Sequence, residues 1–166
     1  MSDCVYPYPC GHFGDTQKAC TCASAVVTKY QKRISGPLLD RIDIHIEVPR
    51  VDYEKLSGDR VGESSAAIRA RVQAARDIQQ LRFTNSQSDI ICNADMRVGE
   101  IRQFCKLQDE GQSLMRAAMT QLNLSARAYH RILKLARTIA DMAGSEDIQS
   151  AHLAEALQYR PKLMMG

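Results

Sequence analysis

From residue 65 onward, apolar residues recur every three to four positions and polar breaks separate the runs, a pattern that predicts a bundle of about five helices. The first covers 65–83, with Ser64 or Ser65 as its N-cap. The second covers 96–105, with Ile101 and Phe104 or Cys105 facing inward. Two more follow at 112–121 and 125–143, the latter stopped by Gly144. Ser150 caps a last helix that ends before Pro161. The chain before residue 65 is patterned differently. Residues 1–22 are rich in Pro, Gly, Tyr and Cys and read as an irregular loop, followed by a short helix over 23–34 and a turn over 35–40. Residues 42–48 alternate, with Asp43, His45 and Glu47 on one side, and predict a strand with one polar and one buried face, closed by Pro49. Residues 52–64 carry two glycines and several charges and read as a connection, and 85–89 as an exposed polar stretch. The expected organisation is a small α/β piece over 1–51 and a helical domain over 65–166, mainly α in all.

Projecting 125–143 on a helix separates two faces. Tyr129, Ile132, Leu133, Ala136, Ile139, Ala140 and Ala143 share one, and Arg127, Arg131, Lys134, Thr138 and Asp141 share the other. With Ser125 as N-cap, Arg127 falls in the first turn, where basic residues are ordinarily disfavoured. An arginine there would act with the positive helix end on an anion; the alternative is a solvated basic face. Arg131, Lys134 and Arg137 are assigned to that solvated face. The arginines of 65–83 (Arg69, Arg71, Arg76 and Arg82) scatter over two faces and read as an ordinary solvated helix.

Composition narrows the class without naming a function. The 166 residues are 45% hydrophobic and 25% charged, as in a soluble globular protein, and the net charge of +3 is too mild to announce nucleic-acid binding. No apolar run reaches the roughly 18 residues of a membrane span and no secretory signal is evident, so a cytoplasmic location is expected. Four of six cysteines crowd into the first 22 residues. Cys10, Cys20 and Cys22, with Cys4 or His12 as a fourth ligand, could furnish a tetrahedral zinc site; a set of reduced thiols is the alternative. Cys92 and Cys105 read as core residues.

Ser35-Gly36-Pro37-Leu38-Leu39-Asp40-Arg41-Ile42-Asp43-Ile44 places one arginine between two aspartates at a turn-to-strand junction. A rim arginine there could reach a neighbouring subunit's nucleotide, or simply pair with Asp40 or Asp43. The segment resembles the arginine-finger box of the AAA+ ATPases, in the magnesium-chelatase-like branch that includes the competence helicase ComM. Residues 124–141 resemble the sensor-2 helix of the same branch, and 152–160 its tail, in the family's order. The resemblance implies that the chain is the C-terminal third of such an ATPase, with the end of the nucleotide-binding core over 1–51 and the helical lid over 65–166. It implies Arg41 as arginine finger, Arg127 as sensor 2, and ATP and magnesium as cofactors of the full-length protein. It also implies a homo-oligomeric ring, a hexamer, with DNA remodelling on the ComM side and metal insertion into porphyrin on the chelatase side. Two positions depart from the family pattern: Tyr8 replaces an expected cysteine, and Tyr6 stands in place of the sensor-1 asparagine. No Gly-x-x-x-x-Gly-Lys-Ser/Thr occurs, so this chain alone is expected not to hydrolyse ATP. A different class stays open: a non-enzymatic helical interaction module with a zinc-stabilised arm and purely structural arginines.

Overall fold

Hydroxyl caps and one left-handed glycine set the ends of the two longest helices. The computed structural model describes residues 9–12, 18–33, 38, 41–46, 48, 62–84 and 89–160. Cys4, Tyr6, Tyr8, Asp40, Glu47 and the segments 52–61 and 85–88 lie outside the described residues. The helices are α1 (Ser24–Gln31), α2 (Ser65–Phe83), α3 (Val98–Phe104), α4 (Asp109–Gln121), α5 (Ala126–Met142) and α6 (Ser150–Gln158). Ser64 Oγ accepts from the Ala67 N–H at 3.2 Å and Ser125 Oγ from the Ala128 N–H at 3.2 Å, each satisfying a free donor of the first turn. At the end of α5, Gly144 takes φ 66°. Its N–H bonds the Asp141 carbonyl at 3.1 Å and the Ser145 N–H bonds the Ala140 carbonyl at 2.9 Å, the paired closure that a left-handed residue permits.

The chain divides into two compact units, one of Met1–Ile42 with Ile46–Arg60 and one of Asp43–His45 with Val61–Gly166. In the second unit α5 is the central helix and packs most extensively on α6. Ala136, Ala140 and Ala156 are wholly buried, and their small side chains let the two helices approach closely. Ile132, Leu133, Leu153, Ile148, Met96, Ile101, Met115 and Phe83 complete the core. Phe83 and Phe104 meet edge to face at 5.6 Å, tying α2 to α3.

Several expectations change. The helix over 96–105 becomes a 3-10 turn at Asn93–Asp95, an extended link at Met96 and Arg97, and α3. Glu100 accepts the Arg97 N–H at 2.9 Å, which starts α3 afresh. α4 begins three residues earlier than its apolar pattern, at Asp109 and Glu110, whose charges suit a helix N-terminus. Ser150 is the first residue of α6 rather than its cap, because His152 Nδ1 accepts the Gln149 N–H at 3.2 Å. Ala143, assigned to the buried face of α5, is exposed, while Asp141, assigned to the polar face, is buried.

The largest change concerns the expected strand. No strand occurs among the described residues, and 42–46 run without a ladder partner. The two faces are also inverted. Ile44, Ile46 and Val48 are 48%, 67% and 82% exposed, whereas Asp43 and His45 are half-buried. Asp43 is drawn in by Arg131 of α5, with Arg160 Nη2 at 3.9 Å from the same carboxylate. The His45 N–H bonds the Tyr159 carbonyl at 2.9 Å.

Candidate functional site

The N-terminal half of α5 forms one wall of a groove of about 530 Å³. Arg127, His130, Arg131, Lys134 and Thr138 line it from α5, Asp43 and Ile44 from the short segment, and Ala94, Met96 and Val98 from the stretch leading into α3. The cations are not equivalent. Arg131 donates to Asp43 through Nε and, at 2.7 Å, through Nη2. Lys134 Nζ donates to the Ala94 carbonyl at 2.7 Å. Arg127 is exposed, and its side chain has no ion-pair or hydrogen-bond partner among the described residues. It stands one residue into α5, beside the donors of the first turn. Among the described residues the groove therefore offers one guanidinium without a partner, Arg127, at a helix N-terminus beside Arg131 and Lys134, which are already held in place, an arrangement suited to an anion.

Arg131 and Lys134 act structurally, yet neither belongs to a solvated face as the helical projection assigns them. Arg137 departs furthest from that assignment. It is 3% exposed and pairs with Asp141 at 3.0 Å, while its Nη1 and Nη2 donate to the Glu146 and Ser145 carbonyls at 2.7 and 2.6 Å. Arg82, also assigned to solvent, reaches the same carboxylate with both arms, at 2.8 Å through Nη1. Asn93 Nδ2 donates to Asp141 at 2.7 Å and to Thr138 Oγ1 at 3.1 Å. A buried clasp thus joins α2, the 3-10 turn and α5. His130 and Asp43 are groove residues that the sequence reading did not single out for this role. The only sequence signal was their proximity to Arg127 and Arg41.

Arg41 lies in the first unit and is exposed, with its N–H bonded to the Leu38 carbonyl at 2.9 Å. Asp43, one of its two expected partners, turns instead to Arg131 and Arg160.

The same unit brings Cys10, Cys20 and Cys22 together, their sulfurs all within 4.8 Å of one another. Cys10 and Cys20 Sγ are 3.4 Å apart. Gly11 takes φ 73°, turning the chain so that the His12 N–H reaches Cys10 Sγ at 3.4 Å. That N–H, helped by the Cys20 thiol, lowers the Cys10 pKa, whereas hydrogen bonding to Cys10 pushes Cys22 up to about 11. A tetrahedral ion with Zn–S near 2.3 Å needs ligand sulfurs about 3.8 Å apart, so the three thiols fit three corners. The His12 imidazole is not part of the cluster, and Cys4 lies outside the described residues.

Among the described residues no helix is long and apolar enough to cross a membrane. Residues 62–160 match the family described as magnesium chelatase, subunit ChlI C-terminal, and residues 3–56 match magnesium chelatase, subunit ChlI. The chain is 43% identical over 156 residues to competence protein ComM of Haemophilus influenzae, which takes in 93% of this chain and 29% of that protein. It is 43% identical over 155 residues to YifB of Escherichia coli, with the same coverage. Against Rv2897c of Mycobacterium tuberculosis it is 31% identical over 154 residues, taking in 93% of this chain and 30% of that one. The chain thus spans less than a third of the length of these relatives. With one match running through the whole α2–α6 bundle and another through the cysteine-bearing segment, the chain belongs to the magnesium chelatase ChlI family, in its ComM-like part.

Proposed function

We propose that this chain is the lid-bearing end of a ring-forming AAA+ ATPase whose hydrolysis drives DNA remodelling. The observation that carries the reading is Arg127: an exposed guanidinium without a partner among the described residues, in the first turn of a capped helix, within a groove where Arg131 and Lys134 are engaged. As sensor 2, Arg127 would contact the nucleotide phosphates from the lid. Arg41 would act as arginine finger, stabilising in trans the charge that develops on the transferring phosphoryl group. ATP and magnesium would be held by residues beyond this sequence, which contains no phosphate-cradling loop motif. The ring is taken as a hexamer. The choice of DNA over porphyrin metalation rests on the 43% identity to a relative named for competence.

A graft tests this reading. This chain would replace the matching segment of the Haemophilus influenzae relative, and ATP turnover would be measured with nucleotide affinity. The expected result is an active ring in which Arg41→Ala lowers turnover by roughly 10³- to 10⁵-fold with nearly unchanged ATP binding. Arg127→Ala is expected to weaken both. Full turnover in both variants would overturn the assignment. The isolated chain should show no turnover.

We also propose that Cys10, Cys20 and Cys22 hold zinc, which would cross-link the loop around them. Protein purified without chelator should then carry about one equivalent by elemental analysis, displaced with release of three thiols. Less than a tenth of an equivalent would identify reduced thiols instead.

A further inference from the structure

We propose that a second groove, between α3, α4 and α5, docks an amphipathic helix with acidic flanks from a partner protein. The groove has a volume of about 690 Å³, within the usual range of binding pockets. Its floor is apolar: Ile101, Cys105, Met115 and Leu133 are 3–4% exposed, and half-buried Met119 and Tyr129 extend it outward. Its rim is basic. Arg102, Lys106 and Arg116 are exposed, and among the described residues no aspartate or glutamate lines the groove. None of these three cations has an ion-pair or hydrogen-bond partner among the described residues, in contrast to Arg82, Arg131 and Arg137 of the same bundle.

The local sequence makes the contrast sharper. Arg102 of α3 and Arg116 of α4 have no acidic residue three or four positions away on their own helices, and Lys106 lies past the end of α3. An opposite charge at that spacing is what would stabilise a basic residue on a helix. Here three positive charges are left to surround an apolar trough. Long methionine side chains in a trough between helices adapt to inserted leucine or phenylalanine anchors, and this is the helix-in-groove mode of recognition. Carboxylates flanking those anchors would meet the rim, supplying orientation and an electrostatic increase in association rate.

A single-stranded nucleic acid fits less well. It needs successive stacking platforms, and Tyr129, the sole Phe, Tyr or Trp of the lining, already packs at 5.4 Å against His130. Among the described residues, a second copy of this chain offers no helix of the right kind. α2 carries one carboxylate, Asp77, against four arginines, and α6 carries Glu155 alone. The acidic starts of α3 and α4 belong to helices that already form the groove walls.

The test uses the full chain and a fluorescein-labelled helical peptide of about 15 residues, with leucines at i, i+4 and i+7 and glutamates on the flanks. Fluorescence anisotropy should show it binding at least about tenfold more tightly than the same peptide with lysine flanks. The advantage should shrink with added salt. In nitrogen-15 NMR spectra the amides of Met115, Met119 and Tyr129 should shift. The combined variant R102E/K106E/R116E changes only exposed side chains, so circular dichroism should be unchanged while the preference for acidic flanks disappears or reverses. Equal binding of both peptides, shifts confined to other surfaces, tighter binding of a (dT)15 oligonucleotide, or self-association of the chain blocked by the same three substitutions would each overturn the proposal.

Discussion

Asp141 is 2% exposed and accepts from Arg82, Asn93 and Arg137 at once. Its charge is tolerable in the interior because two guanidinium groups and an amide replace water. Removing it would leave two inward-turned arginines uncompensated. Asp141→Ala should therefore cost about 3–5 kcal/mol in urea denaturation. Arg127→Ala should change stability by less than about 0.5 kcal/mol, since that side chain is exposed and has no partner among the described residues. The pair of variants separates a basic residue's structural role from a ligand-facing one. Cys105 carries a pH signature. Burial raises its thiol from 9.0 to about 11. Between those values the unfolded chain has lost the proton that the folded chain keeps. The fold binds more protons there, and stability must fall as pH rises from about 9 to 11, by up to ~1.4 kcal/mol per unit. Cys105→Ala, followed by urea denaturation across that range, should show a shallower fall, by one proton's worth.

Helix α5 shows how an element is specified. Its apolar stripe recurs at the helical period, Ser125 supplies the cap and Gly144 the stop. Leu133→Ala, at the centre of the stripe, should cost about 2–5 kcal/mol. Gly144→Ala tests the stop separately. A Cβ there meets nothing within 4 Å, so the expected cost of about 1–2 kcal/mol is purely that of holding an L-residue at φ 66°. A clash-free, unchanged stability would mean that the closure tolerates a different backbone. Both long helices were legible in the sequence because cap and period agree, with Gly144 as the stop of α5. The split before α3 was not, since Asn93 and Met96 are buried and Asn93 is held by distant residues, Gln79 and Asp141.

At the scale of the molecule, stability should be graded. Amide exchange is expected to be slowest in α5 and α6, where the fully buried residues lie. α1, eight residues long with Val27 as its one buried side chain among those described, should exchange close to the unprotected rate. Equal protection of α1 and α5 would refute this ordering. The isoleucines of 42–46 belong to the same picture. Their alternation is a genuine strand signal, yet a strand needs a neighbour to complete its ladder, and none is present among the described residues. Two ion pairs to Asp43 then settle which side faces the bundle, and they select the polar one.

What the sequence determined by itself is what depends on near neighbours along the chain: the helical character of 65–160, the caps and stop of the long helices, the apolar stripe of α5, and the thiols gathered at Cys10, Cys20 and Cys22. The family was legible for the same reason, since its signatures are contiguous stretches. Only the tertiary structure decided which charges were buried and which left free. Arg82, Arg131, Arg137 and Arg127 look alike on a helical projection. Three find carboxylates, at separations of 59, 88 and 4 residues, and one finds none among the described residues. Separations of 59 and 88 residues fix the fate of a charge through packing, and no local pattern encodes them; the four-residue Arg137–Asp141 pair is local, and packing decided only its burial.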